Sequence, residues 1–142
     1  MIQRQSYPII EHDPSPYAII QPGMNNRDIQ IPERCVMSFF GEVVEKFSKM
    51  PEVRTVATTR WETGLANIYV MQYKNTDIAF FHSWVGAPIA VGVMEFVIAY
   101  GGRKFIACGG CGVLDRSIAA GFVLVPTSAV RDEGTSYHYL PP

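Results

Sequence analysis

The segment GAPIAVGVMEFVIAYGGRKFIACGG, Gly86 to Gly110, sets narrow limits on the fold. Pro88 to Tyr100 is almost wholly apolar, and Pro88 falls in the first helical turn, where a missing N–H costs nothing. Gly101 and Gly102 then stop the helix, because glycine tolerates the left-handed conformation at a helix C-terminus. Lys104 to Cys108 (KFIAC) follows as a strand apolar on both faces, in the manner of a central parallel strand. Asp77 to Ser83 supplies a strand before the helix. Strand, crossover helix and strand form a βαβ unit, so the expected fold class is α/β, a largely parallel mixed sheet with right-handed crossover helices. In this reading Lys104–Cys108 is central and parallel to Asp77–Ser83.

The rest of the chain fits around that unit. The first 33 residues hold Pro8, Pro14, Pro16, Pro22, Asn25, Asn26 and Pro32, a density that blocks helices and removes sheet donors. They read as an extended arm with one short strand, Tyr17 to Gln21. Arg34 to Phe40 reads as a buried strand, with Gly41 at the turn. Glu42 to Lys49 has helical spacing, with Val43, Val44 and Phe47 on one face. Val53 to Trp61 and Asn67 to Lys74 are two more strands, and Asn75-Thr76 is the expected hairpin tip before Asp77. Gly121 to Pro126 (GFVLVP) reads as a further strand, and Arg131 to Pro142 as loop. The whole chain is expected to be one domain.

The totals exclude several function classes. Of 142 residues, 48% are hydrophobic and 18% charged, and the formal net charge is -1. With no basic stripe, neither nucleic acid nor an anionic membrane surface is an expected partner. The longest apolar run, Ala87 to Tyr100, is interrupted by Pro88, Gly92 and Glu95 and is too short to span a bilayer. The N-terminal residues do not read as a secretory signal, so the expected location is the cytoplasm. Three cysteines, Cys35, Cys108 and Cys111, are an odd and sparse set, read as reduced thiols.

Cys108 and Cys111 stand at C-x-x-C spacing in KFIACGGCGVLD. A redox pair needs a helix N-terminus to lower the thiol pKa, and Gly109, Gly110 and Gly112 make a poor helix start. A structural zinc site needs four ligands and only one such pair exists, so no metal is expected. A glycine turn at the C-terminal end of a parallel strand can bring backbone N–H groups to an anion. By composition alone, a tight packed turn accounts for it equally well.

WVGAPIAVGVMEFVIAYGGRKFIACGGCGVLD, followed by AAGFVLVPTSAVRDEGTSYHYLPP, resembles the purine/uridine nucleoside phosphorylase family. The resemblance runs from about Trp84 to Pro142: a glycine before a small-residue helix, a strand entering a glycine turn, and a strand ending in V-P-T-S-A-V-R-D-E-G. It implies phosphorolysis of a nucleoside, in which inorganic phosphate is the co-substrate and attacks the anomeric carbon. The products are free base and ribose 1-phosphate. The transition state resembles an oxocarbenium ion, so phosphate must be held beside a developing cation; backbone N–H groups suit that role. No cofactor is implied.

Carried over residue by residue, the resemblance places Gly86, Gly109 and Gly110 at phosphate and ribose, with Arg131 and His82 as further phosphate- or ribose-binding candidates. Arg60 is a further candidate, although Arg60 and Arg131 also read as structural or surface residues. No catalytic residue is assigned. The family's arginine before the glycine turn is Ala107 here, and its N-terminal phosphate loop is Phe39-Phe40-Gly41, without arginine. Glu95 on the apolar helix reads as a structural hydrogen-bonding group. The family's base-recognition segment has no counterpart before Pro142, so the chain is read as the N-terminal half of a phosphorylase fold, apparently truncated. The expected partners are nucleoside and phosphate, and the expected assembly is a homo-oligomer. The alternative function is a non-catalytic ligand-binding or oligomeric remnant of that fold.

Overall fold

The computed structural model describes residues 2, 4–24 and 28–141. They form two compact units: residues 19–110, and a second made of the N-terminal segment to Ala18 with the chain from Cys111 onward. The Asn25-Asn26 part of the expected arm lies outside the described residues.

The first unit carries a five-stranded mixed sheet. Its strands are β1 (Arg34–Ser38), β2 (Arg54–Trp61), β3 (Gly64–Tyr73), β4 (Thr76–His82) and β5 (Lys104–Cys108), in the order β2-β3-β4-β1-β5. Strands β4, β1 and β5 are parallel, whereas β2 and β3 are antiparallel to their neighbours. Helix α1 (Gly41–Ser48) follows β1, and α2 (Ala87–Ala99) connects β4 to β5. The α/β fold with a mixed sheet and a crossover helix is therefore present.

Three sequence expectations about strands change. Lys104–Cys108 is a strand, but it is an edge strand: β1 inserts between it and β4. Its apolar residues on both faces read as those of a central strand. In fact Phe105 packs against the core while Ile106 is 65% exposed. Gly121–Pro126 is not a strand, and Phe122, Val123 and Val125 are exposed. A β-branched run becomes a strand only when a neighbour satisfies its backbone, and none of the described strands pairs with it. Tyr17–Gln21 also forms no strand; it bends between Pro16 and Pro22, with Ile19 and Ile20 exposed. The β3–β4 hairpin turns at Lys74-Asn75, one residue before the expected tip, and both have positive φ, as a two-residue primed turn demands.

The core lies between the sheet and α2. Met37, Ile68, Val70, Ala79 and Phe81 alternate along their strands onto this face, and α2 meets them with Ala90, Val93 and Val97. Phe81 and Val97 are fully buried. Burying each such side chain is worth about 1.5–3 kcal/mol. Trp61 packs on the side of α2 at Gly92 and lies edge-on to Phe96 at 5.8 Å. On the opposite face α1 buries Val44 and sets Phe47 edge-on to Phe80 at 6.4 Å.

In the second unit two short 3-10 helices, Pro8–Ile10 and Ser136–His138, are the regular elements. Arg131 organises its C-terminal part. The guanidinium donates to Ser136 Oγ at 2.9 Å, to the Leu140 carbonyl at 2.7 Å and to the Pro141 carbonyl at 2.9 Å, and it stacks 4.6 Å from the Tyr137 ring.

Candidate active site at the strand ends

In open α/β sheets, ligands collect at the carboxyl ends of parallel strands, where loops and backbone N–H groups converge. Here three such ends lie side by side. Ser38 is in register with His82 of β4 on one side and with Cys108 of β5 on the other. The pairing extends one step past the strands: Phe39 N–H donates to the Cys108 carbonyl at 2.8 Å, and Ser83 N–H to the Ser38 carbonyl at 2.8 Å. The three outgoing loops are thereby fixed to one another.

Each loop then turns sharply. Ser38 Oγ accepts the Phe40 N–H at 3.1 Å, which folds the chain into α1 at Gly41. Gly86 caps α2 with φ 121°, a conformation that favours glycine, and its carbonyl takes the Ala90 N–H at 3.0 Å. Gly109 leaves β5 against Phe39, where an added side-chain carbon would lie 3.1 Å from the ring. Gly110 borders Phe40 in the same way, at 3.7 Å.

His82, half-buried, ends β4 at one side of this rim. Its ring packs 5.5 Å from Trp84 and against Gly41. A cleft of about 160 Å³ opens beside it, lined by Gly41, Glu45, Leu65, Asn67 and Tyr69. Lys49 holds the Glu45 carboxyl below its usual pKa through a 2.6 Å hydrogen bond, so the cleft wall carries an ionised carboxylate at neutral pH. On the other side of α1 an apolar groove of about 300 Å³ runs past Val36, Phe40, Phe47, Met71 and Cys108.

The structure brings Gly86, Gly109, Gly110 and His82 to one end of one sheet. Arg131 belongs to the second unit, where two carbonyls and a hydroxyl occupy its guanidinium. Arg60 is exposed on β2, beside Thr59 and Phe96. Glu95 is half-buried on α2. Cys35, Cys108 and Cys111 are all free thiols, and no group of three or more metal-ligating side chains occurs among the described residues. Burial pushes the Cys35 thiol up to about 11. No described helix is long and apolar enough to cross a membrane.

The sequence reading missed Thr58, Asn67 and Tyr69. Asn67 and Tyr69 stand two apart on one face of β3, which a period-two reading could have found. Thr58 comes opposite Asn67 only through the β2–β3 register.

Residues 33–142 match the model of the phosphorylase superfamily. Guanosine phosphorylase of Halorubrum lacusprofundi is 34% identical over 67 residues, which cover 47% of this chain and 28% of that protein. Uridine phosphorylase of Treponema pallidum is 39% identical over 67 residues, covering 46% of this chain and 26% of that protein. Among solved structures, uridine phosphorylase from Vibrio fischeri superposes with a TM-score of 0.55 at 17% identity, covering 72% of this chain and 43% of that one. The chain belongs to the phosphorylase superfamily, the family of the nucleoside phosphorylases. Its matched stretch spans little more than a quarter of each of these two relatives.

Proposed function

We propose that this chain supplies the phosphate and ribose end of a nucleoside phosphorylase site, which converts a purine or pyrimidine nucleoside and phosphate to free base and ribose 1-phosphate. The observation that carries the reading is the convergence of Gly41, His82, Gly86, Gly109 and Gly110 at the ends of three parallel strands, in a chain of this family. Backbone N–H groups in these turns bind phosphate without reorganising as the reaction proceeds. His82 adds a donor beside it. The reaction uses phosphate itself as nucleophile, so the site requires no cofactor.

A second reading, a ligand-binding or oligomeric relative without catalysis, is favoured by the lack of an arginine in the described turns that leave β1, β4 and β5. Ala107 precedes the glycine turn, residues 39–41 carry no cation, and Arg131 is engaged elsewhere. Base release from uridine, inosine and adenosine, with and without phosphate, separates the two. The chain alone is expected to be slower than a full phosphorylase by on the order of 10³-fold or more, because the reactants are held by only part of a site. Slow release that requires phosphate supports the phosphorylase reading. Binding without any release supports the second. Turnover of about one per second would show that a complete site is present and that its chemistry has been misassigned.

A further inference from the structure

We infer that Tyr69 is a further substrate-binding residue of the strand-end cleft, donating its phenolic hydrogen to an oxygen of the pentose; this rests on the phosphorylase reading above. Thr58 Oγ1 donates to Asn67 Oδ1 at 2.8 Å, which fixes the amide so that its nitrogen faces the other way. That nitrogen, Nδ2, lies 3.1 Å from Tyr69 Oη. An amide NH2 only donates, so the phenol oxygen is the acceptor, and the single phenolic hydrogen points away from Asn67. Tyr69 lines the cleft beside His82, so that hydrogen is available to a ligand there.

The ring is held as firmly as the hydroxyl. Tyr69 stacks on Phe80 at 5.2 Å with 26° between the planes. Tyr69 thus comes to the cleft with position and hydrogen direction already set, which lowers the ordering cost of binding. Glu45, ion-paired to Lys49 at 2.6 Å, lines the same cleft, and its carboxylate can accept a hydrogen bond from a hydroxyl. Pentose hydroxyls both donate and accept, so they match the carboxylate and the phenol together.

Titration calorimetry of the whole chain with ribose 1-phosphate and with inorganic phosphate tests this. Tyr69→Phe keeps the stack on Phe80 and removes only the hydrogen. It should weaken ribose 1-phosphate about three- to tenfold, leave inorganic phosphate unchanged and keep the melting temperature within a few degrees of the parent, as the loss of one hydrogen bond implies. Thr58→Val frees the Asn67 amide and should weaken ribose 1-phosphate by a smaller factor. A purely structural role would lower the melting temperature and leave the affinities alone. Unchanged ribose 1-phosphate affinity in Tyr69→Phe, beside a binding parent, overturns the inference and leaves the phosphorylase reading intact. Equal weakening of both ligands overturns the assignment to the pentose. A parent chain that binds neither ligand overturns both.

Discussion

A side-chain carbon placed at Gly41 would stand 3.3 Å from Nε2 of His82. The start of α1 and the end of β4 therefore share one contact with no room to spare, and the imidazole's position depends on the absence of a side chain at 41. Gly41→Val should swing the ring out of the cleft. Its effect on the backbone is small, because Gly41 is in ordinary helical conformation. We expect ribose 1-phosphate affinity to fall on the order of tenfold or more, since small displacements of binding groups are costly. Shifted imidazole signals in ¹H–¹⁵N spectra would accompany it. Parent-like affinity with unmoved imidazole signals would show that His82 does not contribute.

Gly86 presents the opposite case. The nearest atom to an added side chain is Ile89 Cγ2 at 4.0 Å, so there is space. What forbids the side chain is the backbone, at φ 121° and ψ 131°. Gly86→Ala should therefore destabilise the fold by about 1–3 kcal/mol through strain alone. A denaturant midpoint equal to that of the parent would contradict this.

The thiols differ in environment, and that has a pH consequence. Burial raises Cys35 from an ordinary value of 9.0 to about 11. Below the unfolded value both states hold the proton, and the stability associated with the neutral thiol is complete. Between about 9 and 11 the unfolded chain loses its proton first, so stability falls as pH rises through that window. Cys35→Ser, which keeps a small neutral group, should flatten this alkaline loss. Alkylation at neutral pH should label exposed Cys111 first, half-buried Cys108 more slowly and buried Cys35 only on unfolding. Early labelling of Cys35, or an alkaline stability curve unchanged by the substitution, would count against this.

We propose that the edge position of β5 promotes assembly. It pairs with β1 alone among the described strands, and Ile106 is 65% exposed. An open edge with an apolar side chain favours association. Light scattering should show a dimer or larger species, and Ile106→Lys should shift it toward monomer. A monomeric parent at high concentration would refute the expectation.

What the sequence made legible was local. The α2 segment, bounded by Gly86 and the Gly101-Gly102 pair, carries its own start and stop signals, and it forms within a residue of the expected limits. The five strands of the sheet were likewise readable from alternation and apolar runs, although the same signal also marked Tyr17–Gln21 and Gly121–Pro126, which form no strand. Their order was not, because inserting β1 between β4 and β5 is a pairing between distant segments with no trace in KFIAC itself. The same holds at the site. Gly86, Gly109 and Gly110 announce themselves as glycines, and His82 as a histidine at a strand end. Thr58, Asn67 and Tyr69 are ordinary strand residues until register and hydrogen bonding align them.

The most direct test of the central claim, that the ends of β1, β4 and β5 form the substrate site, is to map ribose 1-phosphate onto the chain by ¹H–¹⁵N chemical-shift perturbation. The amides of Gly41, His82, Gly86, Gly109 and Gly110 should shift together and saturate at a common ligand concentration. Saturable binding that leaves these five unmoved and perturbs amides elsewhere would contradict the claim.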